Sequence, residues 1–211
     1  MSSPMNGTAS VPQAALMRQR VEVHRGTNGW YADAQEDLLA LERPVALVYN
    51  GISHAVMMAS PTNLEEFALG FSLSEGILAN VDECYDLDIH EQPQGLTIHL
   101  TIASQRMAEL KQRRRSLTGR TGCGLCGTEA LEQAIRPIPH VMAPPLSDAA
   151  IQRSLRELSA HQPLQAATGA SHGAAWCDVW GNIKQLREDV GRHNALDKLI
   201  GALARVASPL G

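Results

Sequence analysis

The chain has 211 residues, 44% of them hydrophobic, with 18 Lys and Arg against 22 Asp and Glu for a formal net charge of -4. That length holds one good core or two small domains sharing an interface. No run approaches the roughly 18 apolar residues of a membrane span, and the start lacks the basic segment and apolar block of a secretory signal. A cytoplasmic protein with neither a membrane nor a nucleic-acid partner is expected. Its four cysteines, Cys84, Cys123, Cys126 and Cys177, then argue against a disulfide framework. Cys84 and Cys177 read as buried small hydrophobes.

Residues 1–19 are polar, carry Pro4 and Pro12, and show no period, which predicts a flexible arm. Residues 45–49, the dipeptide Asn50-Gly51 and residues 52–58 carry the strand, turn, strand signature of a hairpin. Thr62 and Glu65 have the spacing of a capping box, and Leu64, Phe67, Ala68, Phe71 and Leu78 follow at helical spacing. Residues 96–102 alternate, so a strand is predicted with His99 and the threonines on its wet face. A helix is predicted over 128–135, then a stiff connector through Pro137, Pro139, Pro144 and Pro145, with a lobe boundary near 104–122. Ser147 caps a further helix with Ile151, Leu155 and Leu158 on one side. A second hairpin is expected from 174–179 and 183–186 about Gly181-Asn182, and a last helix from Leu196 to Val206. Interleaved strands and helices indicate an α/β (α+β) fold.

Three constellations carry chemistry. The first is Gly122-Cys123-Gly124-Leu125-Cys126-Gly127, preceded by Arg106, Lys111, Arg113, Arg114, Arg115 and Arg120, which with Glu109 give residues 106–120 a formal charge of +5. Glycines strip away the side chains that would bury the thiols, and neighbouring cations favour thiolate over thiol. Sulfur or redox chemistry, metal ligation and a structural accident all remain open readings of the pair. Zinc would need four ligands and so would have to recruit separated residues such as His172, Cys177 or His193. Arginines and glycines are the wrong surroundings for a thioredoxin-like motif, so sulfur transfer fits better than disulfide exchange.

The second constellation is residues 168–175, small side chains around His172, which either let backbone approach a ligand or form a glycine turn with a hydrogen-bonded histidine. The third is residues 187–198, dense in charge where a strand turns into the last helix, as at an anion or nucleotide site. Arg192 and Lys198 are its better ligand candidates, while Asn194 with Asp197 also reads as a helix cap.

Taken in order, residues 65–71 with 74–77, the loop 123–127, residues 168–172 and residues 187–198 resemble the FdhD/NarQ family of formate dehydrogenase accessory sulfurtransferases. The resemblance implies a small N-terminal α/β domain over residues 20–115. A cytidine-deaminase-like three-layer α/β domain would follow over 116–211, the whole usually a homodimer. It implies a sulfur carrier that takes persulfide sulfur from a cysteine desulfurase and passes it to the molybdenum cofactor, the bis(molybdopterin guanine dinucleotide) form, on its way to the formate dehydrogenase catalytic subunit. Cys123 would carry the persulfide and Cys126 would assist. His172, Arg192, His193, Asn194 and Lys198 would hold the cofactor as a bound substrate, with no permanent cofactor and no metal expected.

The alternative is a non-catalytic chaperone that holds zinc or the cofactor through Cys123 and Cys126. The residues argue against deaminase chemistry. Its zinc signature pairs His-x-Glu with a later Pro-Cys-x-x-Cys, but here Ala174 follows His172 by two, Gly122 precedes Cys123 and the order is reversed. Family members continue past the last helix, so a C-terminally truncated second domain and an incomplete cofactor site are expected where this chain stops at Gly211.

Overall fold

The computed structural model describes residues 12–25, 31–118, 140, 142 and 144–207. The helix expected over 128–135 and most of the proline connector lie outside them. After a 3-10 turn at Gln13–Ala15, β1 (Leu16–Arg25) pairs antiparallel with β2 (Tyr31–Ala40), in register from Leu16↔Ala40 to Arg25↔Tyr31. Buried Ala15 accepts a hydrogen bond from Leu41 N at 2.8 Å and anchors the root of this ribbon. Residues 16–19, expected as part of the arm, are therefore strand. Helix-favouring Ala, Gln, Glu and Leu fill β2, so pairing with β1 overrides local propensity.

β3 (Arg43–Tyr49) and β4 (Ile52–Ala59) form the expected hairpin. Asn50 (φ 46°) and Gly51 (φ 80°) both take positive φ, the demand of a two-residue turn that matches strand twist. Helix α1 (Leu64–Ser74) follows. Its N-cap is Asn63, in left-handed conformation at φ 52° and without a side-chain capping bond, which displaces the capping box expected of Thr62 and Glu65. At its other end Gly76 (φ 60°) stops the helix, and Ile77 N donates back to Ser72 O at 2.8 Å.

β5 (Cys84–Gln92) and β6 (Gly95–Ile102) complete a sheet of order β4-β3-β6-β5, parallel between β3 and β6 and antiparallel elsewhere. One face carries Val45, Leu47, Tyr49, Ile98, Leu100 and Ile102 into the main core against Phe67 and Ala68 of α1. Ser72 Oγ donates to Ala68 O at 2.6 Å, so the buried Tyr49 hydroxyl, 2.8 Å away, donates to Ser72 Oγ. Burial drives the Tyr49 phenol far above its ordinary pKa. His99 is exposed on the opposite face, as the alternation predicts.

Helix α2 (Ser104–Thr118) tucks Met107 and Leu110 into the same core, and residues 119–122 of the segment expected to part the lobes lie outside the described residues. Arg106, counted in the basic stretch, is bound by Glu83 and Glu109 at 2.9 Å each. Helix α3 (Asp148–Leu158) is capped by Ser147 Oγ, which accepts from Ala150 N at 3.2 Å. Two of its three apolar positions face outward: Ile151 is 46% and Leu155 65% exposed, Leu158 is half-buried, and only Ala150 of this helix is buried.

Helix α4 (Pro163–Thr168) leads into β7 (His172–Cys177), which pairs antiparallel with β8 (Ile183–Asp189), and α5 (Arg192–Ala207) closes the described chain. Gly181 (φ 83°) sits so close to α3 that a Cβ would strike the Ala150 carbonyl. The β7–β8 turn is organised by Asp178, whose Oδ1 accepts from Trp180 N at 3.0 Å and Asn182 N at 2.9 Å, and whose Oδ2 meets Lys184 Nζ at 2.9 Å.

Hydrogen bonds from the Asn182 side chain, then Lys184, hold the Asp178 carboxyl far below the ordinary carboxylate range. A depressed folded pKa contributes stability above the unfolded value of 3.8 that is lost as pH falls toward the folded one. Asp178→Asn should therefore lower the urea midpoint at pH 7, with the gap to the parent closing as pH drops from about 5 toward 2. A gap independent of pH would contradict this.

Candidate functional site

β8, the turn at Val190-Gly191 and α5 bring the third sequence block together. Asp189 and Lys198, both 0% exposed, pair at 2.7 Å. Asp189 Oδ2 also accepts from Ser60 N at 3.0 Å, and Oδ1 accepts from Gly191 N at 2.8 Å and Asn194 Nδ2 at 3.1 Å. Lys198 Nζ donates to Ser60 O at 3.0 Å, Asn194 Nδ2 to Met58 O at 2.8 Å, and Val190 N to Ser60 Oγ at 3.1 Å. A buried charge pair is tolerable only when its remaining lone pairs and protons are satisfied, and here they are. Burial pushes the Lys198 ammonium pKa down, and Asp189 pulls it back in part.

This latch ties the end of β4 to the β8–α5 turn. Asn194 is not the N-cap of α5: the helix opens at Arg192, Ala195 N bonds to Gly191 O, and the Asn194 amide works inside the latch. The charged side chains just before the turn serve neighbouring elements too. Arg187 grips Glu66 of α1 with Nε and Nη2, at 2.5 and 2.7 Å. The Glu188 carboxylate takes the free amides of Leu164 and Gln165 at 2.9 and 2.8 Å, capping α4, and accepts from Ser171 Oγ at 2.8 Å.

The small residues of the second block fit the chain to itself. Gly169 (φ 66°) ends α4, and a Cβ at Gly173 would strike the Gln162 side chain. His172 is exposed at the start of β7, in register with Asp189 and so beside the strand end that enters the turn. Arg192 and His193 are exposed in the first turn of α5. Of the five expected cofactor residues, His172, Arg192 and His193 thus face solvent, while Asn194 and Lys198 face protein. A cleft of about 170 Å³ lies beside β8, lined by Thr62, Asn63, His161, Leu186, Arg187 and Glu188 among others, and by none of those five.

Cys123 and Cys126 lie outside the described residues. Cys84 and Cys177, expected to be buried, are half-buried, and burial is the largest cause raising the thiol pKa of each, with Asp178 and Glu157 adding to it at Cys177. Among the described residues no three His, Cys, Asp or Glu side chains gather as a metal site. The sequence offered the polar density of 187–198, Asp189 included, but no sign that Ser60 and Glu66 complete it. Those partners are strand-end or helix residues distant in the chain, and only the tertiary contact gives them a role.

The FdhD/NarQ family model matches residues 40–210. The chain is 54% identical over 186 residues to the sulfur carrier protein FdhD of Variovorax paradoxus (strain S110), covering 88% of this chain and 67% of that one. It is 57% identical over 173 residues to the sulfur carrier protein FdhD of Cupriavidus necator, covering 80% and 59%. The chain therefore spans only about three fifths to two thirds of the length of these relatives. A crystal structure from Desulfotalea psychrophila, described as that of a formate dehydrogenase accessory protein, superposes with a TM-score of 0.64 at 26% identity, over 92% of this chain and 71% of that one. With a family model covering most of its length and relatives above half identity, the chain belongs to the FdhD/NarQ family.

Proposed function

We propose that this protein is a sulfur carrier that holds sulfane sulfur on Cys123 as a persulfide. It receives the sulfur from a cysteine desulfurase and passes it to the molybdenum cofactor, in its bis(molybdopterin guanine dinucleotide) form, bound for a formate dehydrogenase. The names of its relatives support the carrier role, and the observation that carries the assignment is the Gly-Cys-Gly-Leu-Cys-Gly sequence beside the basic run. Cys84 and Cys177 stand outside that motif, and burial raises the pKa of both thiols, which favours Cys123 and Cys126 as the reactive sulfurs. The work is done in the cytoplasm, by a homodimer.

Loading is redox-neutral. The Cys123 thiolate attacks the outer sulfur of the desulfurase persulfide, the donor's S–S bond breaks, and the donor leaves as a thiolate while its sulfane sulfur keeps the proton on Cys123. For release, the Cys126 thiolate attacks the inner sulfur and expels hydrosulfide, leaving a Cys123–Cys126 disulfide that a thiol reductant reopens. Arg192, His193 and His172 present donors to the anionic part of the substrate, and the Asp189–Lys198 latch fixes the turn that carries the first two.

The test is incubation with desulfurase, cysteine and radiolabelled sulfur, where Cys123→Ser should lose the label. Undiminished labelling of that variant would remove the assignment. Stoichiometric metal in the purified protein, with slow alkylation of both thiols, would favour the zinc-holding chaperone instead. Changing Arg113, Arg114 and Arg115 together to glutamine should slow alkylation at neutral pH and weaken substrate binding in a salt-sensitive way. No change in either would reduce the run to a solvated face.

A further inference from the structure

On the face of the four-stranded sheet turned away from the core, His90 of β5 and His99 of β6 stand with ring centroids 5.1 Å apart and planes at 82°. Both are exposed, on adjacent strands at the edge of the sheet, with Asp88 directly opposite His99 in register and His90 opposite Thr97. Strand alternation puts Asp86, Asp88 and His90 on one face with Thr97, His99 and Thr101.

We propose that His90 and His99 form a two-imidazole site for a divalent transition ion of the Zn²⁺ or Ni²⁺ class, water filling the other positions. With metal–nitrogen bonds near 2.0–2.1 Å, two imidazoles in neighbouring positions of one ion have ring centroids about 4.5–5 Å apart. The observed separation therefore requires little more than rotation of the two exposed rings. Near-perpendicular planes keep the rings from colliding as their nitrogens converge. Asp86 and Asp88 make the surroundings anionic, which favours a dication, and imidazole is a preferred ligand for this class of metal.

An ion held here would bridge β5, an edge strand, to β6. The edge of the sheet gains a staple that unfolding must break. The site is remote in sequence from the cysteine loop and involves none of the residues assigned to sulfur transfer, so the two proposals stand or fall separately.

The experiment titrates NiCl₂ alone into the full chain, with its cysteines alkylated to keep thiols from competing, and follows amide signals by NMR. Paramagnetic broadening should begin at the amides around His90 and His99 and saturate with one ion per chain. In His90→Ala, and separately in His99→Ala, at least about tenfold more Ni²⁺ should be needed for the same broadening, since one imidazole no longer chelates. The melting temperature should rise with Ni²⁺ in the parent and not in either variant. Broadening that centres elsewhere, or is equal in parent and variants, would overturn the site. Both histidines are exposed, so an otherwise unchanged amide spectrum confirms that each variant is folded.

Discussion

Gly70→Val should cost about 3 kcal/mol of stability, the upper end of what overpacking costs. Gly70 and Gly201 are where α1 and α5 touch: a Cβ on Gly70 would overlap the Asp197 carbonyl, and one on Gly201 the Glu66 carbonyl. Because the obstacle is backbone rather than a side chain that can swing aside, relief requires the helices to separate. That would strain two links between them, Ser74 Oγ to Asp197 at 2.8 Å and Arg205 to Glu65 at 2.6 Å. Gly169→Asn is the control, since nothing lies within 4 Å of a Cβ there and asparagine tolerates its φ of 66°. Urea unfolding that finds Gly70→Val as stable as its parent would contradict this packing.

Lys198→Met should be as damaging, about 3–5 kcal/mol, because it leaves the Asp189 carboxylate buried without its cation. The double variant Asp189→Leu with Lys198→Met should be less destabilised than the two single losses added together, since it removes the charge rather than orphaning it. Its latch is still gone, however. The Ser60, Val190 and Asn194 contacts that hold the turn should loosen, and Arg192 and His193 should lose their fixed position even where the fold survives. Chemical denaturation gives the first result and amide exchange at Val190 and Gly191 the second. A single-variant loss under about 1 kcal/mol would show that the pair is not the keystone described.

Much of the fold is legible along the chain, and the reasons are local. Asn50-Gly51 can hardly be anything but a tight hairpin turn, and the alternation of 96–102 identifies both a strand and its wet face, down to His99. Where the reading fails, distant partners decide. β2 looks helical in composition and is held extended by β1, while Asn63 takes a left-handed conformation that displaces the expected capping box. Ile151 and Leu155 have the spacing of a core-facing stripe, yet α3 turns them to solvent.

The candidate site divides the same way. Clustered polarity at 187–198 coincides with the hydrogen-bonded turn between β8 and α5, but polarity alone does not distinguish a side chain offered to a ligand from one spent inside the protein. Lys198 has a partner 138 residues away at Ser60, and Asn194 reaches Met58, so both belong to the framework. Arg192 and His193, next to them in sequence, remain at the surface.

The central claim is that sulfur rides on the glycine-flanked cysteine pair. Mass spectrometry of the protein after incubation with a cysteine desulfurase and cysteine tests it most directly. The account predicts a gain of one sulfur atom that a thiol reductant removes and that maps to the peptide holding Cys123 and Cys126. Sulfur found at Cys84 or Cys177, or no gain at all, would contradict it.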